Sequence, residues 1–202
     1  MNRRRARPFG LEQLEELCRT AERHGVTPIA RVPDIGSSTV LRFLDRGIRG
    51  IVGPHIAAQG DARPLVQACY FGPLGSRSFG ANRGTDYNEG IADKVAYYRE
   101  ANEQMLVCAL IEDARVLDDL DGILSVPGID LFSIGPNDFA LSLGYPGEPD
   151  HAEVRKATPP RARPGCTRLS GPLPGLLHPC RARPGSPARG GRCWARTRRA
   201  SG

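Results

Sequence analysis

The sequence lacks the features that mark membrane, secreted and zinc-finger proteins. No apolar run among its 202 residues is long enough to cross a bilayer. No apolar stretch follows the basic opening MNRRRARPFG, so no secretory signal is expected. No CxxC or Cys/His metal spacing occurs among its six cysteines, which are Cys18, Cys69, Cys108, Cys166, Cys180 and Cys193. These absences predict a reduced, cytoplasmic protein without a membrane partner.

Acidic residues are missing from one region of the chain, and this explains the positive net charge of the whole chain. Residues 158–202 hold ten Arg, no Asp, Glu or Lys, and eight of the 18 prolines, without helical or strand periodicity. The rest of the chain has 18 basic and 22 acidic residues, a net charge of −4. The overall charge of +6 therefore belongs to the tail and says little about the partners of residues 1–157.

Two interpretations of this Arg/Pro/Gly-rich tail are open. In the first interpretation, the tail is a disordered segment that binds nucleic acid through its Arg residues, with Trp194 stacking on a base. Alternatively, it is a GC-rich coding region translated in a shifted frame, which yields the same residue mixture. Because the change in composition is abrupt, we favour the second interpretation. We expect a folded domain over residues 1–157, a disordered, frame-shifted tail over 158–202, and no nucleic-acid partner.

Strand and helix patterns alternate through residues 1–157. Short apolar runs predict four strands, at 26–32, 48–53, 105–111 and 129–134. Helical spacing predicts helices at 11–24, 38–45, 61–69, 91–102 and 116–124, with a long Gly-rich loop at 71–90. This alternation predicts an α/β fold with a parallel sheet, about half of an eight-stranded barrel. An open doubly wound sheet is the rival, but no GxGxxG or GxxxxGK(S/T) motif follows the first strand.

The central unit, residues 104–138, is predicted as strand, helix, strand, and an acid follows each strand. Glu112 follows the first strand, and Asp138 follows the second after a Gly-Pro turn. A right-handed crossover brings the carboxyl ends of both strands to one edge, so the two carboxylates are expected to converge. Convergent carboxylates predict a hard-cation site. For each acid taken singly, a cap of the next helix is the better explanation, and for the pair the two explanations are about equal. The connecting helix is expected to bury one stripe: Val116, Leu117, Leu120, Ile123 and Leu124.

Basic residues also follow the strand ends. Arg31 ends a buried strand at the same edge, where a guanidinium suits a substrate carboxylate or oxyanion, or else a structural ion pair with Asp34. His55 lies just past another strand, and a hydrogen bond at the rim is favoured over catalysis for it. Arg77 and Arg83 lie in the Gly-rich loop, within reach of the site, and solvated loop charges are the favoured interpretation for both.

A turn follows the last strand of the unit. Gly135 and Pro136 form it, and the main-chain amides that come next belong to Asn137 and Asp138. Amides in such a turn suit an anionic group of a substrate.

Five segments in order resemble the HpcH/HpaI aldolase/citrate lyase family. They are TPIARVPD, DRGIRGIVGPHI, PLGSRSFGANRGTDY, ANEQMLVCALIED and VPGIDLFSIGPNDFALSLGYPGEPDHAEV, and together they cover about residues 9–156. The most distinctive is the GP-x-D-x-x-x-S-x-G pattern after an apolar strand. Within the family, the chain is most similar to metal-dependent class II 2-keto acid aldolases of the 4-hydroxy-2-oxoheptanedioate aldolase kind.

The resemblance implies a (β/α)8 barrel, assembled as a homo-oligomer, usually a hexamer. It implies a divalent cation, Mg²⁺, Mn²⁺ or Co²⁺, held by residues that match Glu112 and Asp138. It implies that a 2-keto acid binds this cation and the Gly135–Pro136 turn with the Asn137 and Asp138 amides, while Arg31 stabilises an enolate oxygen. The reaction implied is reversible cleavage of a 4-hydroxy-2-oxo acid to pyruvate and an aldehyde, as used in the catabolism of aromatic compounds.

The chain also departs from the family pattern. No residue matches the acid and histidine that the family carries near its second strand, and Leu110 replaces a common Gln two residues before the metal Glu. The first two and last two barrel strands are not expected in residues 1–157. Half a barrel exposes two sheet edges, so we expect no independent activity from this chain. Two alternatives remain: a non-enzymatic fragment with a nucleic-acid- or partner-binding tail, and a thioester lyase, which ranks lower because no CoA site is recognised.

Overall fold

The computed structural model describes residues 10–158, which form one parallel four-stranded sheet. The strands are β1 (Ile29–Arg31), β2 (Gly50–Gly53), β3 (Leu106–Ile111) and β4 (Leu131–Ile134). Their spatial order follows the sequence, and each neighbouring pair is parallel. This is the arrangement of consecutive strands in a (β/α) barrel, and it confirms the predicted fold class. The predicted tail over 158–202 lies almost entirely outside the described residues.

Helices follow the strands in the described part of the chain. The Gly-rich loop between α3 and α4 contains a 3-10 turn at Arg83–Asn88, and a second 3-10 turn at Ala114–Asp118 precedes α5. No helix within residues 10–158 is both long and apolar enough to cross a membrane. The α-helices are α1 (Leu11–Arg23), α2 (Ser37–Leu44), α3 (Gln59–Cys69), α4 (Lys94–Glu103), α5 (Leu120–Leu124), α6 (Pro136–Ser142) and α7 (Ala152–Ala157).

The two faces of the sheet have different environments. Helices cover one face: a Cβ at Gly53 would lie 2.5 Å from Leu65 of α3. Val107 and Ile111 point to this side and are fully buried, and they form part of one continuous apolar core. The alternate residues, such as Leu110, point to the opposite face, which would be the interior of a closed barrel. The side chain of Arg31 belongs to this second face and marks its carboxyl-terminal end.

The helix predicted over 116–124 is divided in two by Asp119. Its backbone leaves helical geometry, at φ −136° and ψ 30°, and its carboxylate accepts a 2.7 Å hydrogen bond from the main-chain N–H of Gln59, at the start of α3. A Cβ at Gly122 would lie 2.0 Å from the same carboxylate, so glycine allows the close approach. The predicted stripe was therefore wrong in part: Val116 and Ile123 are buried, but Leu117 is 40% exposed.

The Gly-rich loop packs at the end of the sheet where the strands begin. The main-chain N–H of Arg77 donates to the carbonyl of Tyr70, and that of Gly84 donates to the carbonyl of Asp45. Both carbonyls follow helices, α3 and α2, whose carboxyl ends lie beside the strand starts in a (β/α) fold. In this chain the loop therefore does not bring Arg77 and Arg83 over the strand ends.

The prediction that these two arginines are solvated loop charges was also wrong. The guanidinium of Arg77 lies 4.6 Å from the centre of the Phe71 ring, and its Nε is buried without a hydrogen-bond partner in residues 10–158. Burial lowers the pKa of Arg77. Arg83 forms ion pairs with Glu22 and Asp86. Both side chains therefore anchor the loop.

Candidate metal and substrate site

A buried carboxylate lies at the carboxyl end of β3. Glu112 follows the last strand residue and is 6% exposed as a whole. Its side chain belongs to the same sheet face as Leu110, which would be the inside of a barrel. A buried carboxylate is stable only with charged or hydrogen-bonding partners, so its surroundings define the site.

Arg31 supplies the charged partner of Glu112. Its Nη2 donates to both carboxylate oxygens, at 3.1 Å to Oε1 and 3.2 Å to Oε2. Its Nε and Nη1 make no hydrogen bond within residues 10–158, and the side chain is 53% exposed. The alternative of a structural ion pair for Arg31 is thus realised with Glu112 and not with Asp34, which accepts hydrogen bonds from Gly36 and Thr39. Arg31 thus neutralises Glu112 and keeps donors available for a further ligand.

His55 completes the environment of this carboxylate. Its main-chain N–H donates to Glu112 Oε2 at 3.4 Å, and its Nδ1 lies 3.4 Å from the same oxygen. The residue has a positive φ of 56°, which turns its N–H toward the site at some backbone cost. The rim hydrogen bond expected from the sequence is present, but sequence spacing did not reveal its partner. No local pattern shows that residues 57 positions apart meet.

The Gly-Pro turn lies against the same carboxylate. The N–H of Gly135 donates to the carbonyl of Ile111, which ties the turn to the end of β3. A Cβ on Gly135 would lie 2.8 Å from Glu112 Cγ and 3.1 Å from its Oε1. Glycine is required here because the backbone and the carboxyl group approach so closely. Pro136 begins α6, and the amides of Asn137 and Asp138 have no hydrogen-bond acceptor among residues 10–158.

Asp138 is the second predicted carboxylate. It lies in the first turn of α6, three residues after Gly135, and is exposed. Its carboxylate has no hydrogen bond or ion pair in the described part of the chain. A neighbouring acid, Asp113, is instead held by Arg115, whose hydrogen bonds lower the pKa of the Asp113 carboxyl. Asp138 is thus the acid near the turn that remains available for a ligand.

The donor set fits a hard divalent cation that keeps water and substrate oxygens. No cluster of three or more His, Cys, Asp or Glu ligands occurs within residues 10–158. The two predicted ligands, Glu112 and Asp138, are carboxylates, which Mg²⁺ and Mn²⁺ prefer, and the imidazole of His55 lies beside Glu112. The backbone of Gly135 approaches Glu112 on the side of Oε1, next to the turn that precedes Asp138, whereas Oε2 faces the N–H of His55.

Comparison with known proteins identifies the family of this chain. The model of the HpcH/HpaI aldolase/citrate lyase family matches residues 3–163. A 4-hydroxy-2-oxovalerate aldolase of Rhodococcus jostii is 34% identical over 149 residues, which are 74% of this chain and 55% of that protein. A hydroxypyruvate/pyruvate aldolase of Rhizorhabdus wittichii is 34% identical over 139 residues, 68% of this chain and 53% of that protein.

Solved structures give the same result. The HpcH/HpaI aldolase of Desulfitobacterium hafniense superposes with a TM-score of 0.70 at 27% identity, covering 76% of this chain and 58% of that one. The chain spans about half the length of the curated relatives that it matches. The family model covers most of the sequence, and the parallel strand order agrees with it. The chain therefore belongs to the HpcH/HpaI aldolase/citrate lyase family.

Proposed function

We propose that this site serves a metal-dependent lyase reaction, the cleavage of a 4-hydroxy-2-oxo acid to pyruvate and an aldehyde. The observation that carries the proposal is the buried Glu112 carboxylate, which faces Arg31 and the Gly135 turn at the carboxyl ends of parallel strands. Barrel enzymes place their chemistry at this edge. The names of two relatives, a 4-hydroxy-2-oxovalerate aldolase and a hydroxypyruvate/pyruvate aldolase, support the substrate class.

Glu112 and Asp138 are proposed to hold the cation, which is Mg²⁺, Mn²⁺ or Co²⁺. When bound, such a cation supplies a Lewis acid for the keto group of the substrate. Arg31 donates to both oxygens of the buried Glu112 carboxylate and fixes their direction. The Glu112 carboxylate thus stays in a ligand-binding geometry without rearrangement.

Arg31 has a second proposed role on the substrate. As the bond between C3 and C4 breaks, its electron pair moves into the pyruvate portion and negative charge develops on the keto oxygen. The C4 hydroxyl gives its proton to water as the aldehyde forms, and the pyruvate enolate takes up a proton at C3. Nε and Nη1 of Arg31 have no other acceptor in the described residues, so they are available to donate to that oxygen.

The Gly135–Pro136 turn is proposed to bind the substrate carboxylate. The N–H groups of Asn137 and Asp138 have no acceptor within residues 10–158 and lie beside the Glu112 end of the site. Main-chain donors next to a cation suit a 2-keto acid, whose carboxylate and keto oxygens lie side by side. A homo-oligomeric assembly, a cytoplasmic location and a role in aromatic-compound catabolism belong to the same proposal.

The test is binding of pyruvate in the presence of Mn²⁺. Relaxation of the pyruvate methyl protons by Mn²⁺ in NMR is expected with the full chain and is expected to weaken in Arg31→Met and Glu112→Gln. Lactate, which has a hydroxyl in place of the keto group, is the matched control and is expected to bind more weakly. Equal relaxation of pyruvate and lactate, or equal relaxation in both variants and the parent chain, would refute the proposed site.

Turnover is a separate question. Residues 10–158 supply four strands with two unpaired sheet edges, whereas the barrel reaction needs a closed sheet. We therefore expect binding without robust release of pyruvate by this chain, measured through coupled reduction of pyruvate. Rapid metal-dependent release would overturn this expectation and leave the site assignment intact. The alternative of a nucleic-acid-binding tail concerns residues outside the described range, and family membership does not favour it.

A further inference from the structure

His55 has a backbone conformation that side-chain packing does not explain. Its φ is 56°, a left-handed value that costs most residues free energy, and its side chain is 72% exposed. A glycine would adopt this φ without that cost. The conformation turns both the main-chain N–H and the imidazole of His55 toward Glu112 Oε2. The contact with this oxygen is therefore what the strained backbone provides.

The imidazole of His55 faces the carboxylate without forming a hydrogen bond. Its Nδ1 lies 3.4 Å from Glu112 Oε2, beyond the ordinary range of an N–H···O bond, and neither ring nitrogen has a hydrogen-bond partner within residues 10–158. The hydrogen bonds that Oε2 does accept are also long, at 3.2 Å from Arg31 Nη2 and 3.4 Å from the His55 N–H. The ring nitrogen and the oxygen therefore both keep capacity for a further partner.

The spacing of these two atoms is that of two ligands to one cation. Donors that each lie about 2.1 Å from a metal ion, at an angle of about 90–109°, are about 3.0–3.4 Å apart. The 3.4 Å between His55 Nδ1 and Glu112 Oε2 falls at the tetrahedral end of that interval. Within residues 10–158 no third His, Cys, Asp or Glu side chain joins them in a cluster, so this pair is the part of the site that already stands at ligand spacing.

The chemistry of imidazole indicates which cations this pair favours. Mg²⁺ takes oxygen ligands, whereas imidazole suits the later first-row metals, and Co²⁺ stands above Mn²⁺ in general affinity for nitrogen and oxygen sites. We propose that His55 is a ligand of the cation at Glu112, and that it shifts the preference of the site from Mg²⁺ toward Co²⁺. This inference rests on the proposed function, to which it adds a nitrogen ligand and a metal preference.

Calorimetric titrations of the full chain with Co²⁺ and Mg²⁺ test the preference. His55→Gly removes the ring, tolerates the positive φ and keeps the N–H that faces Glu112. We expect the Kd of Co²⁺ to rise by about tenfold and that of Mg²⁺ to change by less than about threefold, whereas Glu112→Gln is expected to weaken both cations. The matched control is His24→Gly, at an exposed histidine that ends α1, and it is expected to change neither Kd.

Pulsed electron paramagnetic resonance of bound Mn²⁺ gives a second readout, which is independent of activity. We expect a direct coupling to an imidazole nitrogen in the parent chain, changed when histidine carries the heavy nitrogen isotope, lost in His55→Gly and kept in His24→Gly. Bound Mn²⁺ without nitrogen coupling, or equal Co²⁺ affinity in His55→Gly and the parent chain, would overturn the role of His55 and leave the Glu112 site standing. Absence of any metal binding that Glu112→Gln weakens would overturn both proposals.

Discussion

Replacing Arg31 by methionine removes the guanidinium that contacts both oxygens of a buried carboxylate. The Glu112 side chain is 4% exposed, so it cannot regain full hydration when its partner is lost. The His55 N–H remains as a weaker donor. Breaking a fully buried pair costs about 3–5 kcal/mol, whereas an exposed pair is worth about 0–1 kcal/mol. Because Arg31 is half exposed, we expect a loss of about 2 kcal/mol in the free energy of unfolding.

A double-mutant cycle separates this interaction from other effects of the substitutions. Arg31→Met, Glu112→Gln and the double variant are unfolded in urea near neutral pH and followed by far-ultraviolet circular dichroism. We expect a coupling energy of about 1–2 kcal/mol that is largely retained in about 1 M salt, since a buried carboxylate is poorly screened.

The control is the exposed pair between Arg115 and Asp113. Arg115→Met is expected to cost less than about 1 kcal/mol, and high salt is expected to remove most of that cost. A coupling energy near zero for Arg31 and Glu112, or one that disappears in salt like the control, would refute the view that this pair organises the site.

Three further outcomes follow from particular contacts. Gly135→Ala places a methyl group 2.8 Å from Glu112 Cγ, so we expect Mn²⁺ affinity, measured by electron paramagnetic resonance, to fall by about tenfold, a level typical of disturbed ligand support. Gly84→Ala places a Cβ 2.1 Å from the carbonyl oxygen of Leu44, and urea unfolding should show a loss of about 3 kcal/mol. Desolvation raises the pKa of Asp130, so its folded pKa exceeds its unfolded one and its contribution to stability decreases as pH rises through that interval. The stability of the parent chain relative to Asp130→Asn should therefore be greater near pH 4 than near pH 7; the opposite order would exclude this explanation.

Strand order and the positions of the strand-end side chains were predictable because both follow from short-range patterns. The apolar run of residues 105–111 corresponds to β3, and the acid after it is the buried Glu112. The sequence also placed Arg31 at the same edge, although its ion pair with Glu112 was not predicted. The boundaries of the strands were predicted less accurately: the apolar run at 26–32 forms a strand only over Ile29–Arg31.

Long-range hydrogen bonds explain most of what the sequence did not reveal. The apolar stripe of residues 116–124 predicts one helix. The hydrogen bond from the Gln59 N–H to the Asp119 carboxylate stabilises the fold by more than the helical geometry that is lost at Asp119. The environment of His55 depends on a positive φ and on a residue 57 positions away. The burial of Arg77 depends on the ring of Phe71, and a Gly-rich loop gives no periodic signal of such a contact.

The most direct test of the account is the stoichiometry of Mn²⁺ binding to the full chain, measured by electron paramagnetic resonance. We predict one Mn²⁺ per chain, with affinity at least about tenfold lower in both Glu112→Gln and Asp138→Asn, since each removes one of two anionic ligands. Glu153→Gln is the control, because Glu153 is paired with Lys156 on α7, away from the turn. The Mn²⁺ affinity of this variant should equal that of the parent chain. Equal Mn²⁺ affinity in all three variants and the parent chain would contradict the central claim that Glu112 and Asp138 together form a metal site.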